Sequence, residues 1–511
     1  MSESSEASAG LVIGEGRLSI EDVAAAARGA PVRLAPSVGQ RLTRARAAIE
    51  RLAVEERPIY GLTTGLGAAV DTRLSADDLA AFQRRAVMAR AVGVGDLLTT
   101  EEVRATLVVR LAGLARGASG ISPAFVKTIV SMLDTGVVPQ ARRIGTLGEA
   151  DLSPLAQLFL PLVGSGMALW RGELLPGPEA LRRAGIQVPP LGAKDGIALI
   201  NANAFGVALA ALAVHEAALA IEALTVAGAL SLEAFRANLS PLEPRLVALR
   251  AAPGQADAAR RVLTLLDGSD LHEPEQARRV QDPLSFRCLT PVHGVAFDRL
   301  AQARAAIEAD LDGAGDSPAL LGDTDELLST VNFDTTAIAL TLEGLGLAAS
   351  HAAALSAFRT TKLMSSGVSG LPRFLTPHGG SRTGFATVQK TAAALEAEIR
   401  HLAMPLGALT VPVADGIEDF APMTPRIAEK TRAIAQRLAQ LAAVEFAVAG
   451  QALDLRGSFR LGRGTGAAFR FLRARCQALD DDRPLGAEFQ QLGEAILAGE
   501  LKAALLEPAA P

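Results

Sequence analysis

The chain is poor in several residue types, and their scarcity excludes whole classes of protein. Among its 511 residues are two cysteines, Cys288 and Cys476, which lie far apart and in no metal-ligand spacing. A disulfide scaffold and a structural zinc site are therefore excluded, and we expect no metal and a reducing, cytoplasmic compartment. The 50 Lys and Arg residues do not outnumber the 55 Asp and Glu residues, which excludes the concentrated basic face of most nucleic-acid-binding proteins.

Long apolar runs are also lacking. We find no stretch of about 18 apolar residues without a charge or a breaker, so we expect no membrane-spanning segment. The first ten residues are acidic and polar, where a secretory signal would be basic and then apolar. The sequence therefore predicts a soluble intracellular protein.

Ala, Leu, Arg and Glu are abundant, and apolar residues recur at three- and four-residue spacing. This periodicity predicts a mainly α fold, with the clearest helices at residues 101–117, 196–224 and 335–363. Short strands are predicted at residues 32–34, 59–62 and 168–174. Clusters of Pro and Gly predict loops at residues 176–192, 267–283 and 367–384. Helices this long bury their apolar faces against other long helices or other subunits, so we expect a bundle and an oligomer.

The only tyrosine of the chain, Tyr60, opens the loop Tyr-Gly-Leu-Thr-Thr-Gly-Leu-Gly at residues 60–67. Three glycines let the backbone of this loop approach a ligand closely. A lone phenol beside them is a candidate acid or base if its pKa is lowered. The segment alone is more typical of a turn with a half-buried tyrosine.

Further segments combine polar side chains with Gly or Pro, and each alone is more typical of a loop or a capped helix end than of a site. They are Gly-Thr-Leu-Gly-Glu-Ala-Asp-Leu-Ser-Pro-Leu-Ala at 145–156, Asn-Ala-Asn-Ala-Phe at 201–205, Gln-Asp-Pro-Leu-Ser-Phe-Arg-Cys at 281–288, Asn-Phe-Asp at 332–334, Ser-Gly-Leu-Pro-Arg-Phe-Leu at 369–375, Gln-Lys at 389–390 and Gly-Ile-Glu-Asp at 416–419. In this order, and with the Tyr60 loop, they resemble the histidine and aromatic amino-acid ammonia-lyase and aminomutase superfamily. The resemblance covers about residues 10–480.

The resemblance implies an ammonia-lyase-like fold with a smaller N-terminal α/β part and a long central helical bundle. It divides the chain into an active-site loop domain at residues 1–210, a long-helix bundle at 211–480, and a C-terminal helix and tail at 481–511. It also implies a homotetramer whose sites are shared between subunits and a small, amino-acid-like substrate. No nucleic acid or membrane is expected as a partner.

Site residues are carried over from the resemblance position by position. Tyr60 matches the catalytic base that takes the β-proton. Asn201 and Arg287 match residues that bind the amino-acid end of the substrate. The planar guanidinium of Arg287 would donate two parallel hydrogen bonds to the substrate carboxylate. Other pocket positions are matched by Gln281, Phe333 and Glu418. A structural salt bridge for Arg287, and structural hydrogen bonds for Asn201 and Gln281, remain the alternatives.

The sequence departs from the family at its electrophile, methylidene-imidazolone. Family enzymes condense an Ala-Ser-Gly tripeptide, in which the third residue's N–H attacks the first residue's carbonyl and the serine loses water. Here the matching loop is short, and its positions are held by Glu149, Ala150 and Asp151. Ser153 cannot substitute, because Pro154 follows it and has no N–H. We therefore expect no cofactor.

Other departures cluster in the matched pocket. Leu284 replaces a usual tyrosine, Arg90 falls where histidine-specific members have a histidine, and Lys390 falls at a usually apolar position. These changes favour altered chemistry over lost chemistry, although Lys390 and Glu418 could equally form a buried structural pair. An Ala-Ser-Gly does occur at residues 118–120, and we interpret it as a helix C-terminus with glycine as the breaker.

The sequence is compatible with three functions. The first is a cofactor-independent elimination of trimethylamine from a carboxylated betaine, such as a thiolhistidine betaine, to give a conjugated acrylate, which resembles the ergothionase branch. In it, Lys390 and Glu418 would recognise the ring and Tyr60 would remove the β-proton. The second is another reaction without the electrophile, namely isomerisation, cyclisation or elimination of a different leaving group. The third is a noncatalytic homologue.

Overall fold

The computed structural model describes residues 10–55, 59, 62–64, 76–408 and 411–507, and the chain divides into two units. The first unit comprises Met1–Leu212, Arg304–Leu340 and Leu406–Glu429, and the second comprises Ala213–Ala303, Thr341–Pro405 and Lys430–Pro511. About 61% of the chain is helical, which confirms the mainly α fold. Each unit is discontinuous in sequence, and the predicted boundaries at residues 210 and 480 stay a prediction.

Helices account for most of the described residues. They are α1 (Ile20–Ala27), α2 (Pro36–Ala53), α3 (Ala76–Arg90), α4 (Thr100–Ala115), α5 (Pro123–Thr135), α6 (Leu152–Phe159), α7 (Gly177–Arg183), α8 (Asp195–Ile200), α9 (Ala204–Phe235), α10 (Pro244–Ala248), α11 (Pro253–Leu265), α12 (Leu284–Arg287), α13 (Leu289–Leu311), α14 (Thr336–Leu363), α15 (Ser366–Ser369), α16 (Val388–Leu402), α17 (Thr424–Arg456), α18 (Arg463–Arg473), α19 (Gly486–Leu497) and α20 (Glu500–Leu506).

Small sheets lie in the first unit. Their strands are β1 (Leu11–Ile13), β2 (Val32–Leu34), β3 (Val94–Leu97), β4 (Val138–Pro139), β5 (Arg142–Ile144), β6 (Met167–Trp170), β7 (Glu173–Pro176), β8 (Ala319–Leu320) and β9 (Leu327–Leu328). β1 and β2 pair in parallel, whereas β3 with β5, β4 with β6, β6 with β7, and β8 with β9 pair antiparallel. The predicted strand at residues 32–34 coincides with β2.

The helices of the first unit begin at identifiable caps. Ser19 and Asp22 form a reciprocal capping box at α1, and Thr99 and Glu102 form another at α4. Each box satisfies backbone N–H groups that would otherwise lack partners in the first turn. α5 ends at Gly136, whose φ of 72° is readily adopted by glycine. The predicted helix at residues 101–117 is therefore present as α4, with its N-terminus fixed by sequence-local contacts.

Three helical segments have the length and composition of membrane spans, contrary to the sequence expectation. They are Asp195–Phe235, Thr336–Leu363 and Thr424–Arg456, whose most apolar windows have mean hydropathies of 2.0, 1.4 and 1.3. Within the protein those windows are 94%, 56% and 83% buried. Burial in the protein core explains the apolar character of the first and third windows, as expected for helices of a bundle, whereas the window in Thr336–Leu363 is only partly buried.

The core of the second unit contains a fully buried ion pair. Arg359 in α14 donates to Glu445 in α17, with 2.6 Å between Nε and Oε1 and 2.9 Å between Nη2 and Oε2. Ser231 in α9 donates to Glu445 Oε1 over 2.7 Å. These bonds link three long helices within the buried core, where a charge without a partner would be costly.

Three local predictions need correction. The single strand predicted at residues 168–174 is a hairpin of β6 and β7, because Arg171 and Gly172 adopt positive φ values of 50° and 81° and reverse the chain. The loop predicted at residues 176–192 contains α7. The helix predicted at residues 196–224 is interrupted between α8 and α9, at residues 201–203.

Candidate active site

Loops of the first unit enclose a cavity of about 970 Å³. Its walls come from the loop after β5, the end of α8, the segments between α13 and α14, and the loop before α17. Arg90, at the end of α3, adds a cation to the lining. Among the described residues, the lining carboxylates are Glu149, Asp334, Glu418 and Asp419. A cavity with polar groups converging in an apolar wall is the usual setting for a small-molecule site.

Asp151 fixes the loop that carries Glu149. Its buried carboxylate accepts a hydrogen bond from Thr146 Oγ1 over 2.9 Å and another from the Gly206 backbone N–H over 2.7 Å. Its own N–H donates to the Ala202 carbonyl over 2.8 Å. Burial raises the pKa of Asp151 to about 6, although these hydrogen bonds oppose the shift. Asp151 is therefore an anchor of the loop and lies outside the cavity lining.

Glu149 faces the cavity in an acidic environment. Burial raises its pKa to about 7, and the nearby carboxylates of Asp334, Glu418 and Asp151 add to the shift. Its Oε1 is shielded from solvent and has no hydrogen-bond partner among the described residues. A carboxyl group with such a pKa exchanges protons near neutral pH, which is characteristic of functional groups in clefts.

Asn201 lies at the interruption between α8 and α9 and lines the same cavity. Its Nδ2 donates to the carbonyl of Ser317, another lining residue. Behind them, the buried side chain of Arg110 donates to the Leu199 carbonyl over 3.2 Å and pairs with Asp316. Arg110, Asp316 and Ser317 were not among the residues predicted from the sequence. A charged residue within the apolar pattern of residues 101–117 was the available signal for Arg110.

Three predicted pocket residues meet around this cavity together with Asn201: Arg90, Phe333 and Glu418. Arg90 Nη1 donates to the Ala86 carbonyl over 3.1 Å. Glu418 is held by a short antiparallel bridge to Val413 and is exposed. Glu149 and Ala150, predicted as the degenerate cofactor loop, also line the cavity. The loop of Glu149 and the motifs that contain Asn201, Phe333 and Glu418 thus meet at one cavity of the first unit.

Other predicted residues are not part of this cavity. Tyr60 lies outside the described residues. The remaining four, Gln281, Leu284, Arg287 and Lys390, belong to the second unit and are absent from the described lining. Arg287 Nε donates to the Asp282 carbonyl over 2.8 Å. Lys390 and Glu418 are both exposed.

The comparisons identify the family. A family model described as "Aromatic amino acid lyase" matches residues 18–474. Histidine ammonia-lyase from Symbiobacterium thermophilum is 38% identical over 492 residues, which cover 96% of this chain and 97% of that protein. Ergothionase from Treponema denticola, solved with desmethyl-ergothioneine sulfonic acid, is 30% identical with a TM-score of 0.90 and covers 96% of this chain and 99% of that one. Histidine ammonia-lyase from Trypanosoma cruzi is 27% identical with a TM-score of 0.90, covering 97% and 94%.

The helical fold is thus shared with the ammonia-lyases, which are C–N lyases. The chain belongs to the aromatic amino acid lyase family.

These findings overturn the functional prediction made from the sequence. The first four curated relatives, 34% to 38% identical to this chain, are all named histidine ammonia-lyase. Elimination of trimethylamine from a betaine is therefore the wrong assignment. The isomerisation, cyclisation and noncatalytic alternatives receive no support from these names either. That prediction rested on the missing Ala-Ser-Gly tripeptide, with Lys390 as a single-residue link to the ergothionase branch.

Proposed function

We propose that this chain eliminates ammonia from a histidine-like α-amino acid, giving a conjugated acrylate, and that it uses no electrophile made from its own backbone. The observation that carries the proposal is the cavity lined by Asn201, Phe333 and Glu418 in a chain 38% identical to a histidine ammonia-lyase. The cavity, at about 970 Å³, is large enough for an amino acid with a ring.

The residues of the matching loop do not fit methylidene-imidazolone. That group requires a serine that loses water and a following residue whose N–H forms the ring. The loop offers Glu149 and Ala150, followed by Asp151, whose N–H already donates to a carbonyl. Ser153 is buried in α6 and precedes Pro154, which has no N–H. We therefore derive no step through this group.

The chain's own residues supply substrate binding and proton transfer. In the elimination, the β C–H electron pair forms the double bond and the C–N pair departs with the nitrogen. Tyr60 is the proposed base that receives the β-proton, by its match in the Gly-rich loop. The bond from Asn201 Nδ2 to Ser317 orients the amide, so that its oxygen is the acceptor for the substrate's amino group.

We propose further that neighbouring subunits of a homotetramer complete the site with Arg287, Gln281, Leu284 and Lys390. Supporting this, apolar side chains are exposed along one face of α14: Leu340 at 67%, Leu347 at 44% and Phe358 at 59%. Spacings of seven and eleven residues place them in one stripe, which a second helix would cover.

Cys288 and Cys476 are free thiols, in keeping with a reducing cytoplasm as the working compartment.

Absorbance and ammonia assays with L-histidine, L-phenylalanine and L-tyrosine test the proposal. We expect acrylate and ammonia in equal amounts from histidine, and an intact mass equal to that of the unmodified chain. Tyr60→Phe should remove the activity. Absence of acrylate and ammonia with all three amino acids would contradict the elimination. An intact mass lower by two waters would contradict only the electrophile-free mechanism.

A further inference from the structure

We infer that Glu149 holds the substrate's amino group as an ammonium ion, so that the nitrogen can leave as neutral ammonia without an electrophile. This inference rests on the proposed elimination. It assigns Glu149 as the residue that selects the protonation state of the substrate.

The first support is the rigid placement of Glu149. Gly148 and Ala150 on either side have φ values of 92° and 51°, so the backbone turns sharply at this point. A left-handed conformation is unfavourable for alanine and persists only where surrounding contacts impose it. One such contact is the bond from the Met423 N–H to the Leu147 carbonyl, at 2.9 Å. The loop therefore presents the glutamate side chain from a fixed backbone.

The second support comes from a comparison of the lining carboxylates. Glu149 has an oxygen that is shielded from solvent and accepts no hydrogen bond among the described residues. Asp334 already accepts bonds from Thr336, at 3.1 Å from the backbone N–H and 3.0 Å from the hydroxyl. Glu418 and Asp419 are exposed to solvent. By contrast, Oε1 of Glu149 is shielded from solvent and has no partner among the described residues. A ligand donor placed in the cavity would satisfy this oxygen.

The third support is charge. Among the described residues, the lining combines four carboxylates with the single cation Arg90. Burial and the carboxylates of Asp334 and Glu418 raise the pKa of Glu149 to about 7, which means that its ionised form lacks a compensating cation. An ammonium group placed against Glu149 would supply that charge. It would also lower the pKa of Glu149, so binding would release a proton near neutral pH.

The chemistry explains why an ammonium ion is needed. A free amine that leaves with the C–N electron pair would depart as an amide anion, whereas an ammonium ion leaves as neutral ammonia. The β-proton goes to the base, the C–H pair forms the double bond, and no further proton has to be supplied. An electrophile instead captures the free amine. With a carboxylate in place of the electrophile, the site must therefore bind the substrate's amino group as an ammonium ion rather than as a free amine.

Titration calorimetry at pH 7 in buffers of different ionisation enthalpy tests the inference. Tyr60→Phe serves as the background so that ligands are not consumed, and the ligands are L-histidine, L-phenylalanine, L-tyrosine and their deamino acids. We expect release of about half a proton on binding the preferred amino acid, since Glu149 titrates near this pH. Glu149→Gln in the same background should abolish the release and weaken binding by about 10- to 100-fold, the factor for a lost charge-assisted hydrogen bond. The deamino acid should bind without proton release.

Glu173→Gln is the matched control, because the side chain of Glu173 is 60% exposed in β7 and does not belong to the described lining. It should leave proton release unchanged. Equal affinity and proton release with and without Glu149→Gln would overturn the inference. So would proton uptake on binding, which would indicate a protonated Glu149 donating to the substrate carboxylate. Failure of all three amino acids to bind would overturn it as well.

The two proposals fail in different ways. If the unmodified chain forms no acrylate but shows Glu149-dependent proton release, the elimination is wrong and the ammonium site stands. If the chain forms acrylate and Glu149→Gln retains the kcat/KM and pH profile of the unmodified chain, the ammonium site is wrong and the elimination stands.

Discussion

Arg110 and Asp316 form a buried ion pair beneath the last turn of α8, with 2.6 Å between Nη2 and Oδ1. The same guanidinium donates to backbone carbonyls in that turn, at Ala198 and Leu199. Asp316 directly precedes Ser317, which lines the cavity. One charged pair therefore joins two segments of the cavity wall that are about a hundred residues apart in sequence.

Asp316→Asn should strongly destabilise the fold, because Arg110 would remain buried without its counter-ion. Breaking a buried pair from one side costs about 3–5 kcal/mol in free energy of unfolding. Denaturant unfolding measures the change. Asp325→Asn is the control, since it breaks a pair with Arg51 whose side chains are 37% and 61% exposed. That loss should stay below about 1 kcal/mol, and similar losses in both variants would contradict the prediction.

Gly294→Ala should destabilise the second unit through a backbone collision. A Cβ at Gly294 in α13 would lie 2.4 Å from the carbonyl carbon of Gly254 in α11, where no side chain can move aside. Overpacking of this kind costs about 1–3 kcal/mol or more. Gly39→Ala in α2 is the control, because its added methyl group meets nothing within 4 Å. It should stabilise by about 0.5–1 kcal/mol, as alanine is the better helix former. Thermal unfolding of the two variants tests the contrast.

The sequence predicted the parts of the fold that depend on local periodicity. The patterns at residues 101–117 and 335–363 correspond to α4 and α14. A helix that buries one or more of its faces has apolar residues at three- and four-residue spacing, which can be recognised in the sequence. The interruption at Asn201 was not predictable in this way. Its side chain is held by the Ser317 carbonyl, 116 positions away, and no local pattern encodes such a contact.

The candidate site was predicted in part for the same reason. Colinear motifs located the loop of Glu149 and the positions of Phe333 and Glu418, which do line one cavity. They gave no indication that Glu149 faces the cavity with a raised pKa, since that property arises from burial and from Asp334. Roles for Tyr60 and Arg287 stay predictions.

Asp151→Asn should alter how stability depends on pH. The pKa of Asp151 is raised from 3.8 to about 6 in the folded protein, chiefly by burial. As pH rises through this interval the unfolded chain loses its proton first, so unfolding becomes more favourable. The unmodified chain should lose about 3 kcal/mol relative to Asp151→Asn between about pH 4 and pH 7, from 1.36 kcal/mol per pKa unit. Unfolding curves across this range test the difference, and parallel profiles for the two proteins would contradict it.

His293 should give the opposite pH dependence. It is fully buried in α13, its Nδ1 lies 2.8 Å from Thr225 Oγ1, and burial lowers its pKa well below 6.5. Arg359, which is paired with Glu445, lowers it further. Below about pH 6.5 the imidazole of His293 binds a proton in the unfolded chain and stays neutral in the folded chain. The free energy of unfolding therefore falls as the pH falls. His293→Gln should remove this fall, whereas replacing the exposed His401 by Gln should not. Circular dichroism of urea unfolding at several pH values measures both.

Asn201→Ala should reduce turnover more than stability. The substitution removes one side-chain hydrogen bond, to the Ser317 carbonyl, at a cost of about 1 kcal/mol in unfolding free energy. In the proposed site it also removes the acceptor for the substrate's amino group, so kcat/KM for histidine should fall by about 10- to 100-fold. Asn203→Ala is the neighbouring control: Asn203 donates to Asp310 over 2.8 Å and does not belong to the described lining. Its substitution should lower stability and leave kcat/KM of the folded protein nearly unchanged. A loss of activity in Asn203→Ala as large as in Asn201→Ala would show that both amides only maintain the turn between α8 and α9.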